Sequence, residues 1–297
     1  MEHNKIREDY HQIFKMIQKY CPPKEPEKSK LGGKATEYSN IHILTLGCLQ
    51  TLYGLPAQGT FLKMVAEATQ FKCPSQGYFS RRARGLNSFL VNVQPMIFTK
   101  FNANQSISTY IMDSMPIEKK RLIKKGQKLQ KRSKATTGYV SSLKTHFYGF
   151  KLHSILTKSG IPVRIKLLPA NIHDNTGFKT IKQHFHDCSI IADKGYVDYS
   201  HTQELLEKQN VKMKLPTKKN AKNHDRNLIQ TPSENRSRAK IETYHSVLES
   251  MGAKQPRRRD DLGITNTVRL CVLTFTLVQL SKGRRGTKSS LSLKFGG

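Results

Sequence analysis

The sequence contains no tryptophan and few acidic residues: 21 Asp and Glu stand against 51 Lys and Arg among 297 residues. The resulting formal net charge of +30 makes polyanions the expected partners, because basic residues attract phosphates over long range and release counterions on binding. A basic structural protein that binds RNA is an alternative, and it predicts no metal-dependent chemistry. The basic residues cluster along the chain, which favours a nucleic-acid partner.

Cysteines are also few, and their spacing argues against two classes of protein. There are five, and no two of them form a CxxC pair. Neither a disulfide framework nor a zinc ribbon is therefore expected. His184, His186 and Cys188 alternate within HFHDC, but a second pair of ligands for zinc is missing. We interpret them as solvated residues near a helix end.

Long hydrophobic runs and nucleotide-binding motifs are missing too. The most apolar stretch, Val268–Leu280, is 13 residues long and contains Arg269, so it is too short and too polar to span a bilayer. The polar start of the chain is unlike a signal peptide. We expect a cytoplasmic protein with no membrane partner. The chain has no GxxxxGK[ST] loop, which predicts chemistry independent of ATP.

Helical patterns dominate the first hundred residues. A helix over Phe61–Phe71, a short turn and a helix over Tyr78–Val93 resemble a helix-turn-helix, whose second helix enters the DNA major groove. The second helix carries Arg81, Arg82 and Arg84 on its first turns. We therefore predict a helical DNA-binding region over 1–100. A plain helical scaffold with nonspecific phosphate contacts is the alternative.

Strand-like segments begin near residue 107. Thr109–Met112 ends at Asp113, a hairpin covers 146–169, and Ser189–Ala192 ends at Asp193. Alternating strands and helices predict an α/β domain with a mixed sheet over 107–281, followed by a basic flexible tail over 282–297. Residues 119–134 contain nine Lys or Arg and no acid, which is typical of a loop that lies along a phosphate backbone.

Three acids stand out on this basic chain: Asp113, Asp193 and Glu242. The first two follow apolar strand segments, and the third opens a helical pattern after a basic stretch. Carboxylates on strands about 4.8 Å apart can share metal ions. Two Mg²⁺ ions about 3.5–4 Å apart can activate the attacking oxygen and stabilise the leaving oxygen in phosphoryl transfer. Asp113 would bridge both ions, while Asp193 and Glu242 would each hold one.

Arg238 lies four residues before Glu242, on the same helix face. It could orient Glu242 or hold a target phosphate, and a plain salt bridge within the helix explains the pair equally well.

Five segments now point to a family. YIMDSMPI, HFYGFKLH, IPVRIKLLPANIHDNT, IIADKGY and RAKIETYHSVLE follow one another in an order that resembles the DDE transposases of bacterial insertion sequences, most closely insertion-sequence family nine-eight-two. The resemblance covers about residues 36–280. The spacings of 80 residues from Asp113 to Asp193, and of 49 from there to Glu242, suit that family's core.

The resemblance implies an RNase H-like fold with Asp113, Asp193 and Glu242 as the DDE triad. It also implies an endonuclease activity at the ends of the element that depends on Mg²⁺, with Mn²⁺ as an alternative ion. The freed 3′-hydroxyl then attacks target DNA. The implied partners are double-stranded DNA, as terminal inverted repeats and as target, and a second copy of the chain, because two ends must be brought together. The location would be the bacterial nucleoid.

The resemblance also assigns lesser positions. In the family's helix signature Arg238 and Glu242 fit, whereas Asn235 and Glu249 replace the expected tyrosine and lysine. His173 and Asp174 match family motifs, although Asp174 is equally well explained as a helix cap. The matched residues for which we predict phosphate contact or support of the site, together with the basic helix, are Arg81, Arg82, Arg84, Lys151, His153, Lys194 and Arg238.

Two further alternatives use the same residues. An RNase H-like nuclease or resolvase would share the triad and cut DNA without joining it. A catalytically decayed, DNA-binding relic of a transposase would bind DNA without cutting it, and the departures at Asn235 and Glu249 keep this alternative open.

Overall fold

The computed structural model describes most of the chain, as residues 3–25, 37–101, 107–119, 133–140, 144–181, 185–196, 198–216, 229–258 and 260–282. Most of the predicted basic loop over 119–134, His184, and all but the first residue of the predicted tail lie outside these ranges. The chain divides into two compact units, Met1–Phe101 with Val247–Gly297, and Asn102–Ser246.

Helices and strands segregate between the two units. The helical unit contains α1 (His3–Tyr20), α2 (Asn40–Leu52), α3 (Gln58–Thr69), α4 (Gln76–Gly85), α5 (Asn87–Phe101) and, at the far end of the chain, α10 (Asp261–Lys282). The α/β unit contains β1 (Thr109–Glu118), β2 (Thr136–Val140), β3 (Thr145–Thr157), β4 (Pro162–Pro169), α6 (Asp174–Lys179), β5 (Cys188–Ile191), α7 (Tyr199–Gln209), β6 (Val211–Lys214) and α8 (Pro232–Ser237). Helix α9 (Ala239–Ser250) begins in the α/β unit and ends in the helical one.

Side-chain caps fix the starts of two helices in the helical unit. The Ser39 hydroxyl accepts from the N–H of His42 at the start of α2, and Ser75 does the same for Tyr78 at the start of α4. The helix predicted over Tyr78–Val93 is in fact two helices, because α4 ends at Gly85 and α5 begins at Asn87. Glycine and asparagine are poor helix formers, which accounts for the break.

Helix α10 is buried on nearly every side, and it packs against α2 and α5. Its threonines make buried hydrogen bonds: the Thr274 and Thr51 hydroxyls lie 2.7 Å apart, and the Thr276 hydroxyl donates to Gln94. Length and composition alone would let α10 cross a membrane, but 67% of its apolar window is buried inside the protein. It is therefore a core helix of the helical unit, whereas the sequence analysis grouped it with the α/β domain.

The α/β unit is built on a mixed sheet. Strand β1 pairs antiparallel with β3 on one side and parallel with β5 on the other, and β6 continues the sheet parallel to β5. The free edge of β3 is shared by β2 and β4, both antiparallel to it. The prediction of an RNase H-like mixed sheet with helices, preceded by an all-helical region, is confirmed.

Three boundaries in the α/β unit differ from the prediction. Strand β1 runs on to Glu118 because β3 pairs with it along its whole length, so Asp113 lies within a strand and not at its exit. Strand β2 was not predicted. Helix α6 ends at Lys179, and Cys188, interpreted above as a solvated residue near a helix end, is instead a buried residue of β5.

A buried carboxylate in the helical unit gives a stability prediction. Asp9 is 1% exposed, and burial raises its pKa. The Tyr53 hydroxyl donates to Asp9 at 2.6 Å, and the Lys5 ammonium lies 3.6 Å away. We expect Tyr53→Phe to lower the free energy of unfolding in urea by about 1–3 kcal/mol, because a buried acceptor loses its donor.

The control is Tyr20→Phe, since the Tyr20 hydroxyl has no hydrogen-bond partner among the residues that the structure describes. Equal stability of the two variants would contradict the importance of the Tyr53–Asp9 bond.

Candidate active site

The register of two parallel strands brings Asp113 and Asp193 together. Ile111 of β1 is paired with Ile191 of β5, and each aspartate follows two residues later. Side chains alternate along a strand, so Asp113 lies on the same face of β1 as Ile111, while Asp193 follows the end of β5. Each carboxylate accepts from the next backbone N–H, at 2.8 Å from Ser114 and 2.6 Å from Lys194.

Electrostatics shows that the two carboxylates are close enough to interact. The pKa of Asp113 is raised to about 6. Burial is the main cause and the charges of Asp193 and Asp174 contribute, while the Ser114 N–H and the Arg238 charge act in the opposite direction. Asp193 itself remains half-exposed. A buried carboxylate beside a second carboxylate favours a cationic partner.

Arg238 is the cation that faces both aspartates. It lies at the end of α8, and one guanidinium nitrogen is 3.6 Å from the Asp193 carboxylate. That separation is an ion pair but too long for a good hydrogen bond. The Arg238 Nε is buried and has no hydrogen-bond partner within the described part of the chain. Arg238 is therefore held near the aspartates, and part of its hydrogen-bonding capacity remains unsatisfied by them.

Glu242 lies in the first turn of α9 and is exposed. The helix around it is anchored, because Ile241 and Tyr244 are fully buried and the Tyr244 hydroxyl is 3.3 Å from that of Ser154. Ser154 is the β3 partner of Asp113. Across the described ranges, however, no three His, Cys, Asp or Glu residues lie close enough to hold one metal ion. The structure thus joins Asp113, Asp193 and Arg238, and the place of Glu242 in a triad stays a prediction.

The donor set fits a hard divalent cation. Asp113 and Asp193 present carboxylate oxygens, which Mg²⁺ prefers, and their mutual repulsion would be relieved by an ion between them. The carboxylate of Glu242 is exposed, and its part as a third ligand stays a prediction. Magnesium keeps several waters, so two or three protein ligands suffice.

Asp174 links the neighbourhoods of the two aspartates by its contacts. The explanation of Asp174 as a helix cap is wrong. The N-cap position of α6 is His173, and its side chain makes no capping bond. The Asp174 carboxylate instead accepts from the Ser114 hydroxyl and from the Lys151 ammonium, each at 3.1 Å. A Cβ placed on Gly195 would lie 3.2 Å from the same carboxylate. Asp174 therefore connects the neighbour of Asp113 with the turn that follows Asp193.

Tyr196 and His153 form a buried layer next to these carboxylates. The Tyr196 hydroxyl lies 3.5 Å from His153 Nδ1. Burial raises the pKa of Tyr196 well above its ordinary value, and the charges of Asp174, Asp113 and Asp193 add to the effect. Tyr196 was missed as a site residue in the sequence analysis, although it ends the quoted ADKGY segment. His153 is 0% exposed, which favours the predicted support of the site over the predicted phosphate contact.

The other predicted DNA-contacting residues differ in how free they are. Arg82 donates to the Tyr78 hydroxyl and to Asn40, at 2.7 and 2.8 Å. Arg84 makes two hydrogen bonds to Asp260. Arg81 and Lys194 are exposed. Lys151 is half-buried and bound to Asp174, so its charge supports the site from within.

The two departures from the family's helix signature are also visible. Glu249, at the position of the expected lysine, forms a 2.9 Å ion pair with Lys254. Asn235, at the position of the expected tyrosine, is exposed on α8.

Comparison with known proteins places this site in context. A family model described as a transposase DDE domain matches residues 99–258, more than half of the chain. No curated protein matches the chain significantly.

Among solved structures, the chain is similar to three Mos1 complexes. One is the Mos1 transposase paired-end complex with left transposon end, at 14% identity and a TM-score of 0.23, covering 83% of this chain and 81% of that one. The Mos1 strand transfer complex gives 14% identity, a TM-score of 0.23 and coverage of 88% and 83%. The pre-cleavage Mos1 transpososome gives 13% identity, a TM-score of 0.21 and coverage of 88% and 83%. TM-scores this low carry no structural argument.

The buried His153 predicts a pH-dependent stability. Burial lowers its pKa to about 4 from an ordinary 6.5, so between these values the unfolded chain binds more protons than the folded one. The neutral imidazole's contribution to stability is therefore complete above pH 6.5 and is lost as the pH falls towards 4. We expect His153→Gln to lose the part of the pH dependence of unfolding that this residue causes, at most about 3 kcal/mol, measured by urea titration at several pH values.

His146→Gln is the control, because His146 lies on the same strand and is exposed. If His153→Gln and the parent protein lost stability in parallel below pH 6.5, the explanation would be wrong.

Proposed function

The chain belongs to the transposase DDE domain family, and we propose that it cleaves DNA at the ends of an insertion sequence and joins the freed 3′ ends to target DNA. The observation that carries this proposal is the position of Asp113 and Asp193, each two residues beyond the last paired residues of two parallel strands, with Arg238 close to both. Carboxylates and one cation on a strongly basic chain suit a phosphodiester substrate.

We propose that Asp113 and Asp193 hold a divalent cation, with Glu242 completing the ligand set in the DNA complex. Mg²⁺, or Mn²⁺ in its place, supplies Lewis-acid activation of the oxygens on phosphorus in the two-metal chemistry of this family. The protein's own contribution is positioning. Strand pairing fixes Asp113 and Asp193, and the anchored helix α9 presents Glu242.

Arg238 would act on the substrate. Its ion pair with Asp193 is loose, and its Nε lacks a described partner. Once the charge of Asp193 is neutralised, the guanidinium can turn to a phosphate oxygen, which matches its fork of donors. Lys194 is exposed directly after Asp193 and would add a second phosphate contact.

The proposed partners are double-stranded DNA, as terminal inverted repeats and as target, and a second copy of the chain. Two ends must be cut and joined together, so a homodimer in the DNA complex supplies one site for each end. The helical region over 1–100, with Arg81 exposed on α4, would bind the repeats, and the α/β region would carry out the chemistry. The protein would then be found with the bacterial nucleoid.

Asp113→Asn tests the chemistry with an isosteric change. We expect cleavage of a duplex carrying the element's end to fall at least about a hundredfold, because a charged group at the reacting phosphate is lost. Binding of the same duplex, measured by electrophoretic shift, should stay within about twofold. Glu207→Gln, an exposed acid on α7, is the control and should cut like the parent protein.

Strand transfer of a pre-cut 3′ end in the same assay separates the alternatives. A nuclease would cut without joining, and a decayed relic would bind without cutting. Equal cleavage by Asp113→Asn and the parent protein would overturn the metal assignment.

The third carboxylate is tested by comparing Glu242→Gln with Glu249→Gln on the same helix. We expect the former to lose at least about a hundredfold of Mg²⁺-dependent cleavage, and the latter to lose little, because Glu249 is paired with Lys254. Full activity of Glu242→Gln together with loss of activity in Asp174→Asn would instead assign the third carboxylate to Asp174, whose charge also acts on Asp113.

A further inference from the structure

The helical unit contains a cavity of about 260 Å³, lined by both polar and apolar residues, that the proposed chemistry does not use. It lies between α4, the segment before α10 and the first turns of α10. Among the described residues that line it are three arginines, Arg84, Arg257 and Arg258, and one carboxylate, that of Asp260. The lining therefore has an excess of two positive charges.

The single carboxylate is already occupied. Both oxygens of Asp260 accept from Arg84, at 3.0 and 2.8 Å, and one of them also accepts from the Gly263 N–H at the start of α10. Arg258 donates its Nε to the Thr267 hydroxyl at 3.2 Å, and its terminal nitrogens have no acceptor recorded within the described ranges. Arg257 is exposed and forms no ion pair with any described acid. Two guanidinium groups at the cavity thus remain available to an anion.

Asn266 adds a second and independent feature. It lines the cavity and is only 6% exposed. Its Nδ2 donates to the Ala83 carbonyl at 3.4 Å, while its Oδ1 is buried and has no partner among the described residues. A buried acceptor without a donor is unfavourable, so a ligand that supplies an N–H would be stabilised there. A phosphodiester group has no hydrogen-bond donor at neutral pH, whereas a nucleobase does.

We propose that this cavity binds one unpaired nucleotide of a DNA strand, with its phosphate on Arg257 and Arg258 and an N–H of its base donated to Asn266 Oδ1. Guanidinium groups suit phosphate oxygens, and a buried amide oxygen reads the donor of a base. The inference rests on the proposed function, because it takes DNA to be the substrate. It adds a strand-binding site in the helical unit that is separate from the aspartates.

The test compares a variant that removes a charge with a variant that removes a buried amide. Binding is measured by fluorescence anisotropy, without metal, on a terminal-repeat duplex that carries a short single-stranded end (the frayed duplex). Arg257→Gln should weaken binding roughly tenfold, the size of one charge-assisted bond. Asn266→Leu changes no charge, and it should weaken binding severalfold for the frayed duplex but not for a fully paired one. Lys63→Gln, which removes an exposed charge on α3 away from the cavity, is the control and should change binding less than twofold.

A measurement on the unmodified protein covers the case in which Asn266→Leu fails to fold. Phenylglyoxal modifies accessible arginines, and mass spectrometry reports the rate at each one. We expect the frayed duplex to protect Arg257 and Arg258 by at least about fivefold, the minimum for near-saturating occupancy of a site, while Arg81 is the comparison. Protection by deoxynucleoside monophosphate but not by DNA would overturn the proposal in favour of a free nucleotide. Protection by inorganic phosphate as strong as by DNA, or no protection at all, would also overturn it.

These outcomes are separate from those of the proposed function. If the chain cuts and joins DNA in the Asp113 experiments while both cavity variants bind like the parent protein, the cavity proposal alone is wrong. If no DNA is cut but the cavity arginines are protected, the catalytic proposal fails and the cavity remains a DNA site.

Discussion

The structure of the α/β unit depends on holding two like charges at adjacent strands. Asp113 and Asp193 repel each other, and the raised pKa of Asp113 records both its burial and that repulsion. A fold tolerates such a pair only when the surrounding structure fixes it. Here the backbone does so: β1 is paired on both sides up to Ile111, and β3 continues the pairing past Asp113. The carboxylates are therefore positioned by strand register, which side-chain motion alone cannot undo.

Asp174, Gly195 and Tyr196 surround this pair of aspartates and help to hold it in place. Asp174 receives hydrogen bonds from Ser114 and Lys151, so the Lys151 ammonium offsets part of its charge, although that charge still helps to raise the pKa of Asp113. A side chain on Gly195 would crowd that carboxylate, because a Cβ there would lie 3.2 Å from one of its oxygens. Tyr196 then closes the buried side against His153. Asp193, Gly195 and Tyr196 of the ADKGY segment thus belong to a turn that brings Asp193 close to Asp113.

Sequence patterns could predict the part of this arrangement that depends on local order. An apolar strand segment followed by an aspartate identifies Asp113 and Asp193, and the hairpin and most helices follow from periodicity. Long-range pairing was not predictable in the same way. No local sequence feature predicts that β1 continues to Glu118, because the β3 residues that pair with it lie 30 or more residues away along the chain. Asp174 resembles a cap for the same reason: the donors that it uses come from β1 and β3.

Acidic residues are scarce, so the partner of each one shows which basic residues are engaged inside the protein. Several cations that composition counts towards DNA binding are engaged internally, as Arg84 with Asp260, Lys151 with Asp174 and Arg238 with Asp193. A net charge of +30 therefore overstates the number of free cations. The charges that remain for phosphate are those without a close internal acceptor, and they must be found by geometry. By this criterion Arg257 is a stronger candidate than Arg82, whose guanidinium already donates to Tyr78 and Asn40, although only Arg82 lies on a helix that resembles a DNA-reading element.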